Sequence, residues 1–214
     1  MAKLWCPGGN SSKKRSCPPW LEPASVGVLE KLQKITRFSP DVPDLVASLR
    51  FKPINLPKLR PRRIAYIPLI ESSNFTLCLF YLPKRSFLPF HDHPRQHVCL
   101  RVLQGTIRVA SCDTQQSPDA NYVLGSSYPI IRSSVSTISP ASHPHLVQPE
   151  TDNIHEIRSL SDEDCLFLDL VVPPYGESRR ITYFSRNGEQ LTALTENQVS
   201  LDMDFLDIYT LIDS

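Results

Sequence analysis

The sequence contains no apolar run that approaches the ~18 residues of a membrane-spanning helix. Residues 1–5 also lack the long apolar core of a signal peptide. The formal net charge is only +1 at pH 7, which gives no reason to expect nucleic acid or a membrane surface as a partner. We therefore expect a cytoplasmic protein, with the nucleus as a second location, and we expect the chain to be a monomer.

Glycine is scarce, with seven residues, whereas proline is abundant, with twenty. Many prolines and few helical periods favour short strands joined by rigid turns. The six cysteines form no Cys-x-x-Cys pair, and in a reducing compartment they are expected to be free thiols. Four of them lie in apolar, strand-like segments, where we expect them to be buried: Cys78, Cys99, Cys112 and Cys165.

A length of 214 residues suits one domain with extensions. The sequence pattern predicts a flexible N-terminal tail over residues 1–22, a main domain over 23–190 and a divergent C-terminal extension over 191–214. The extension ends in an acidic, apolar segment. We expect that segment to be either a docked helix or a tail that binds a partner.

Two short helices are predicted at the start of the main domain. Apolar residues recur at helical spacing over residues 25–37. Ser39 is interpreted as an N-cap with Pro40 in the first helical position, opening a second helix through Leu49. From residue 64 the apolar pattern changes to a period of two, and the main predicted strands are 64–69, 75–81, 97–103, 106–110 and 165–172. Many short strands at close spacing indicate an antiparallel sandwich or barrel.

The most informative local pattern is HDHP at residues 91–94. Two histidines separated by one residue on a strand share a face, so His91 and His93 are expected to lie roughly 6.6 Å apart along it. A third histidine on a partner strand, His155, can close a three-nitrogen metal site. Imidazole suits iron, zinc, copper or nickel, and three protein ligands leave open positions on the ion for reactants.

Other histidines offer weaker alternatives. His143 and His145 repeat the spacing, but they flank a proline in a predicted loop, which favours a role without metal. His97 lies at an even offset from His93, yet a proline interrupts the strand between them, so we expect a pocket residue there rather than a ligand. Asp92 alternates to the opposite face of the strand and is assigned no catalytic role.

Several short blocks resemble the thiol dioxygenase family that includes 2-aminoethanethiol (cysteamine) dioxygenase and the plant cysteine oxidases. They follow the order and spacing of that family within residues 25–186. The blocks are NFTL at 74–77, FLPFHDHP at 87–94, RVLQGT at 101–106, NIHEI at 153–157 and FLDLVVPPY at 167–175. Any one block is a weak signal, whereas together they are specific.

The resemblance implies a mainly β, cupin-like double-stranded β-helix, which is a jelly-roll barrel, with short N-terminal helices. It implies one Fe(II) bound by His91, His93 and His155, and the oxidation of a thiol to a sulfinate with O2 as co-substrate. The implied substrates are cysteamine and proteins or peptides that begin with cysteine. As residues of the catalytic pocket the resemblance implies Asp169, Tyr175 and Tyr183.

Two of these pocket residues also have a structural interpretation. The carboxylate of Asp169 would either hold the substrate ammonium, or orient a ligand histidine or cap the turn formed by the two prolines that follow. Tyr175 would either line the pocket or be a core aromatic residue with its hydroxyl at the rim.

Three positions depart from the usual pattern of the family. The ligand pair is normally followed by proline, glycine and methionine, and here Arg95 and Gln96 replace the last two. If these side chains line the entrance, a cation and an amide are expected to alter substrate preference or access. In animal members a cysteine commonly lies two residues before the tyrosine that matches Tyr183. Here that position is Ile181, so no thioether crosslink can form.

Two other functions stay open on the sequence alone. A cupin that binds metal or a thiol without turnover would be a sensor or a scaffold, and the change at Arg95 and Gln96 keeps this hypothesis in place. A metal-dependent hydrolase or isomerase on the same fold is less favoured, because no acidic fourth ligand accompanies the histidines.

Overall fold

The structure is a computed structural model that describes residues 17–54, 63–116, 121–176, 179–208 and 211. Most of the tail predicted over residues 1–22 lies outside these ranges, as does Cys6. Within them, two short helices precede twelve strands, which form two six-stranded sheets. No helix in the described ranges is long and apolar enough to cross a membrane.

The helices are α1 (Val26–Leu32) and α2 (Val42–Ser48), and single 3-10 turns occupy Pro23–Ser25 and Glu196–Gln198. The strands are β1 (Ile64–Glu71), β2 (Thr76–Leu82), β3 (Phe87–His91), β4 (His97–Gln104), β5 (Ile107–Thr114), β6 (Ser127–Ile138), β7 (His145–Val147), β8 (Ile154–Ser159), β9 (Cys165–Val172), β10 (Phe184–Asn187), β11 (Gln190–Ala193) and β12 (Met203–Phe205).

Sheet 1 has the strand order β12-β1-β2-β9-β4-β7, and sheet 2 has the order β10-β11-β6-β5-β8-β3. The strands from β2 to β9 pair in a nested way, with β2 on β9, β3 on β8, β4 on β7 and β5 on β6. This nested antiparallel pairing across two sheets is the jelly-roll topology. The predicted cupin-like double-stranded β-helix is therefore confirmed.

Alternation along the strands separates an inner core from an outer one. Inward-facing residues of both sheets form a cluster between the sheets, for example Leu100 of β4, Val109 of β5 and Phe167 of β9. The other face of sheet 1 packs against α1 and α2 in a larger cluster. Strand β9 is buried at every position because it is covered on both faces. The four cysteines expected to be buried are buried free thiols, as predicted.

The start of α2 differs from the prediction. Its N-cap is Asp41, and Pro43 rather than Pro40 lies in its first turn. The predicted N-cap at Ser39 is wrong, because the Ser39 hydroxyl donates to the Asp41 carboxylate at 2.5 Å rather than accepting from a helix N–H. Helix α1 is also shorter than the stretch with helical spacing over residues 25–37.

After β9 the chain returns to both sheets. Strands β10 and β11 extend sheet 2, and β12 pairs in parallel with β1 of sheet 1. Arg63 forms ion pairs with Asp202 and Asp204 at 2.6 and 3.2 Å, which hold β12 beside the start of β1. Ile208 and Leu211 are buried in the outer core. The described part of this segment therefore packs against the domain.

Candidate metal centre

Three histidines converge between the two sheets at one end of the barrel. His91 is the last residue of β3, and His155 lies directly opposite it on β8. The pairing register shifts between Leu88 and His91, so β3 carries one residue more than β8 over this stretch. A bulge of this kind re-aims the side chain that follows it, and here it turns His91 towards the same interior as His155.

The geometry of the cluster suits one metal ion. Nitrogen atoms of His91, His93 and His155 all lie within 4.8 Å of one another. The three ring centroids are 4.6 to 5.0 Å apart. All three residues are buried, and the described chain places no carboxylate among the ligand atoms of the group.

The protonation of the cluster also suits a metal. Burial lowers the pKa of His91 to about 4. Burial, followed by the nearby imidazoles, lowers the pKa values of His93 and His155 well below their ordinary value. All three rings are therefore neutral at pH 7, which is the form that binds metal.

Hydrogen bonds fix which nitrogen faces the centre. Nδ1 of His91 lies 2.8 Å from the Pro89 carbonyl and donates to it, which leaves Nε2 free. Nδ1 of His93 lies 2.5 Å from the Tyr175 hydroxyl. If Nδ1 carries the proton, it donates to that oxygen, and the hydroxyl donates to the Asp92 carbonyl at 3.4 Å.

Two ring nitrogens of the cluster are buried without a hydrogen-bond partner among the described residues. They are Nε2 of His93 and Nδ1 of His155. Buried polar atoms are nearly always satisfied in folded proteins, so an unpartnered nitrogen in a group whose ligand atoms all lie within 4.8 Å of one another calls for a ligand. The residues present therefore fit a resident metal ion, and imidazole donors suit iron among others.

Asn153 anchors His93, and sequence reasoning assigned it no role. Its side-chain oxygen accepts from the backbone N–H of His93 at 3.0 Å, and its amide nitrogen donates to the His93 carbonyl at 2.9 Å. The same amide nitrogen donates to the Gln148 carbonyl at 3.0 Å. Because His93 lies beyond the end of β3, these two hydrogen bonds from Asn153 take the place of the backbone hydrogen bonds that a neighbouring strand would form with His93. The only available signal was that Asn153 lies two residues before His155.

Asp92 is structural, in agreement with the absence of an assigned catalytic role. It exchanges two hydrogen bonds with Thr182: its N–H donates to the Thr182 carbonyl at 3.1 Å, and its carboxylate accepts from the Thr182 N–H at 2.6 Å. Burial raises the pKa of Asp92 to about 7. These contacts hold Tyr183 next to the metal centre, where its ring centroid lies 6.1 Å from that of His91.

Asp169 also points into the barrel, on the opposing sheet. It lies on β9 between Cys78 of β2 and Leu100 of β4 in the strand register. It is 5% exposed, and its Oδ1 has no hydrogen-bond partner among the described residues. Burial raises its pKa to about 8. An unpartnered buried carboxyl of this kind suits a cationic ligand.

The two tyrosines lie at the rim of the centre. Tyr175 is 38% exposed overall, while its hydroxyl reaches His93. Tyr183 is half-buried and forms one wall of a groove of about 630 Å³. Ile181, Leu194 and Glu196 also line that groove. Tyr183 therefore lies between this groove and the ring of His91.

The two unusual residues after the ligand pair have different roles. Gln96 is fully buried and donates to the Pro173 carbonyl at 2.9 Å, so it supports the segment that carries Tyr175. The condition that Gln96 lines an entrance is therefore not met, because its side chain is buried. Arg95 is exposed, has a φ of 56° and borders a cavity of about 90 Å³ next to Asp92.

The remaining histidines divide between the two faces of the barrel. His97 lies on the outer face of sheet 1, stacked on Phe38 with ring centroids 4.5 Å apart, so the expectation of a pocket role is wrong. His143 is exposed and forms an ion pair with Asp44 at 3.2 Å. His145 lies on β7, opposite Leu100 of β4, on the inner side of sheet 1.

The comparison with known families agrees with this geometry. A family model described as PCO_ADO matches residues 21–207. The chain belongs to the PCO_ADO family. The matched range includes α1, α2 and all twelve strands, and it reaches well into the segment expected to be a divergent extension.

Curated relatives of this PCO_ADO chain carry enzyme names. A probable 2-aminoethanethiol dioxygenase of Dictyostelium discoideum is 33% identical over 138 residues, which is 62% of this chain and 62% of that protein. The human 2-aminoethanethiol dioxygenase is 26% identical over 197 residues, covering 78% of this chain and 69% of the relative. Plant cysteine oxidase 2 of Arabidopsis thaliana is 26% identical over 126 residues, covering 56% and 44%. The match thus spans less than two thirds of the Dictyostelium and Arabidopsis proteins.

Proposed function

We propose that this protein is an Fe(II)-dependent thiol dioxygenase that oxidises cysteamine, or the N-terminal cysteine of a peptide or protein, to the sulfinate. The observation that carries the proposal is the set of three buried, neutral histidines whose free nitrogens converge inside a cupin barrel. The names of its relatives, 2-aminoethanethiol dioxygenase and plant cysteine oxidase, support the same chemistry.

Three residues would hold the iron, namely His91, His93 and His155. Bound iron would supply a site where a thiolate and O2 can meet. The reaction balances without a further reductant, because R–SH and O2 together give R–SO2H, with both oxygen atoms on sulfur. Three neutral ligands leave the double positive charge of the ion uncompensated, which favours an anionic thiolate in an open position.

Asp169 is proposed to hold the substrate ammonium. A cation beside a buried carboxyl favours its ionised form, so binding of the amine would lower the raised pKa of Asp169 and satisfy its unpartnered oxygen. In cysteamine and in an N-terminal cysteine, the amine and the thiol are carried by neighbouring carbon atoms. Recognition of the amine would therefore fix the direction in which the thiol enters.

The two tyrosines are proposed to position the site. Tyr175 would accept from the Nδ1–H of His93 and so keep the ring in the tautomer whose Nε2 is free for the metal. Tyr183 separates the histidine cluster from the large groove and would limit the entry of water from that side. A cytoplasmic or nuclear location and a monomeric state are predictions that accompany this proposal.

The test is to load the protein with Fe(II) without oxygen, add a Cys-initiating peptide or cysteamine, admit O2 and measure product masses. We expect the gain of two oxygen atoms on the thiol. His155→Ala should lose both iron and activity, because it removes a buried ligand. His143→Ala is the matched control, since that histidine is exposed and outside the centre, and it should retain both.

Two results would contradict the proposal. Iron bound by the wild-type protein with no oxidation of either thiol would indicate a non-catalytic cupin that serves as a sensor or scaffold. Full oxidation by His155→Ala would show that the chemistry does not depend on the three-histidine centre.

A further inference from the structure

Two polar side chains inside the barrel have no role in the proposed reaction. Oγ of Ser111 and Nε2 of His145 are buried and lack a hydrogen-bond partner among the described residues. Ser111 is 1% exposed, and His145 is partly buried. A hydroxyl and an imidazole that are removed from water without a partner call for a ligand or an ordered water.

The strand register places Ser111 beside the metal centre. On sheet 2, Ser111 of β5 lies opposite His155 of β8, which in turn lies opposite His91 of β3. Ser111 shares the parity of Ile107 and Val109, whose side chains belong to the inner core. Its hydroxyl therefore faces the barrel interior, in one row with two of the three histidines.

The register of sheet 1 places His145 in the facing row. Leu100 of β4 pairs with His145 of β7 on one side and with Asp169 of β9 on the other. His145 has the parity of Val147, which packs with the inward-facing Val98 and Val171. The row on sheet 1 thus carries a carboxyl near one end and an imidazole at the other.

The two rows approach each other at the β7–β8 side of the barrel. Strand β7 of sheet 1 and strand β8 of sheet 2 are consecutive along the chain and are joined by residues 148–153. His145 and His155 therefore lie on the two strands that flank this connection between the sheets. On sheet 1, Leu100 separates the carboxyl of Asp169 from the imidazole of His145, and Ser111 faces this row from sheet 2.

We propose that Ser111 and His145 form a subsite that donates hydrogen bonds to the oxygen of a carbonyl or carboxylate group attached to the amine-bearing carbon of the substrate. This inference rests on the proposed function, with Asp169 holding the amine. Cysteine and Cys-initiating peptides carry such an oxygen, and cysteamine does not. The subsite therefore makes this protein prefer Cys-initiating peptides or free cysteine over cysteamine.

The chemistry of the two groups supports this assignment. A serine hydroxyl and a neutral imidazole can each donate one hydrogen bond, and a carbonyl oxygen accepts two. A buried site built to bond a polar group discriminates strongly against an analogue that lacks it, because the donors are then left unpartnered. Cysteamine would leave both donors without a partner.

The test is direct binding, which does not depend on turnover. The full-length, Fe(II)-loaded protein is titrated without oxygen with the dipeptide Cys-Gly, with free cysteine and with cysteamine, by calorimetry. We expect the wild-type protein to bind Cys-Gly at least roughly tenfold more tightly than cysteamine. Ser111→Ala and His145→Leu should each reduce this ratio several-fold, with little change in the affinity for cysteamine.

Matched controls are available for both variants. Ser133→Ala removes an exposed serine of β6, and His143→Leu removes the exposed histidine two residues before His145. Neither should change the ratio. Iron content is measured for every variant, so that loss of metal is separated from loss of the subsite. Ser111→Ala removes a single oxygen atom, so it keeps the test decisive if His145→Leu does not fold.

Each outcome has a defined meaning. If the Ser111 and His145 variants bind only Cys-Gly more weakly, the subsite recognises a peptide carbonyl. If they bind both Cys-Gly and cysteine more weakly, it recognises a carbonyl or a carboxylate oxygen. Either result supports the proposal. A wild-type ratio near one, or a ratio that neither variant changes, overturns the subsite but leaves the proposed function standing. Failure of the wild-type protein to bind any of the three thiols overturns both.

Discussion

Two adjacent layers of the barrel interior differ in chemistry, although the same strands build both. We call them the apolar end and the polar end; on sheet 1 a further apolar row of Val98, Val147 and Val171 lies beyond the polar layer. The apolar end is the row of Leu88, Ile157 and Val109 on sheet 2 and the row of Phe80, Phe167 and Val102 on sheet 1. The polar end is the next inward-facing row on each sheet: His91, His155 and Ser111 on sheet 2, and Cys78, Asp169, Leu100 and His145 on sheet 1.

The change from one end to the other takes a single inward step on three of the strands. It occurs from Val109 to Ser111 on β5, from Ile157 to His155 on β8 and from Phe167 to Asp169 on β9. Side chains in the apolar end satisfy one another by packing. Several atoms in the polar end have no partner within the described chain, so that end is completed only by a ligand. The apolar end thus mainly stabilises the fold, and the adjacent polar end binds the ligand.

Truncation at the apolar end is the most severe way to test this separation. Phe167 is fully buried and stacks on Phe80 with ring centroids 5.3 Å apart. We expect Phe167→Ala to lower the free energy of unfolding by about 3–5 kcal/mol through lost burial and the cavity left behind. Urea denaturation measures that loss, and a metal titration under native conditions should give an affinity within about threefold of the wild type.

The control for this variant is Phe205→Ala, because Phe205 is 75% exposed. It should change the free energy of unfolding by no more than about 0.5 kcal/mol. If Phe167→Ala loses as much metal-binding free energy as it loses free energy of unfolding, the apolar and polar ends are energetically coupled and the separation is contradicted.

Removal of the ionisable Asp169 carboxyl at the polar end should raise stability, whereas truncation of Phe167 at the apolar end should lower it. Burial raises the pKa of Asp169 from 3.8 to about 8, so the folded protein binds this proton more tightly than the unfolded chain does. Its contribution is therefore present at low pH and is lost as the pH rises from about 4 to about 8. In the metal-free protein, Asp169→Asn should become more stable than the wild type over this range, by several kcal/mol at the upper end, because a difference of one in pKa between the folded and unfolded states corresponds to about 1.4 kcal/mol.

Urea denaturation at intervals between pH 4 and pH 9 measures the difference in free energy of unfolding between Asp169→Asn and the wild type. This difference should level off above about pH 8. Asp162→Asn is the matched control, because the Asp162 side chain is fully exposed, and its difference should be flat. A pH-independent difference for Asp169→Asn would mean that the carboxyl is not desolvated in the free protein.

The layers and the metal cluster could be predicted because they depend on residue type and spacing. Period-two patterns gave strands that the structure confirms at β1, β2, β4, β5 and β9, since alternation reflects burial on one face. The pair His91 and His93 was informative because histidines are few and metal ligands must be close together. Asp169 was implied only by the resemblance to the thiol dioxygenase family.

Other features depend on contacts that no local pattern encodes. The bulge that turns His91 inward arises from the pairing of β3 with β8, and the spacing of two histidines cannot reveal it. His97 faces outward because Phe38, from the segment between the helices, covers that side of sheet 1. Ser111 and His145 appear as an unremarkable serine and a loop histidine until the strand register places them in facing rows.

The smallest expected effect lies at Asn153, which touches neither layer but holds one ligand in place. Asn153→Ala removes both hydrogen bonds to the backbone of His93 and leaves that N–H and carbonyl to find other partners. Loss of groups that orient a ligand typically costs tenfold to a hundredfold in metal affinity. We expect that range here, about 1.4–2.7 kcal/mol of binding free energy, measured by competition with a chelator.

The comparison with a control variant shows whether the effect is local. Asn187→Ala changes an exposed asparagine at the end of β10 and should leave metal affinity unchanged. Asn153→Asp keeps the oxygen that accepts from the His93 N–H but loses the amide that donates to its carbonyl, so its affinity should lie between those of the wild type and Asn153→Ala. If Asn153→Ala binds metal as tightly as the wild type, the bulge and the strand pairing of His91 and His155 alone organise the polar end, and the position of His93 is set by the metal rather than by the protein.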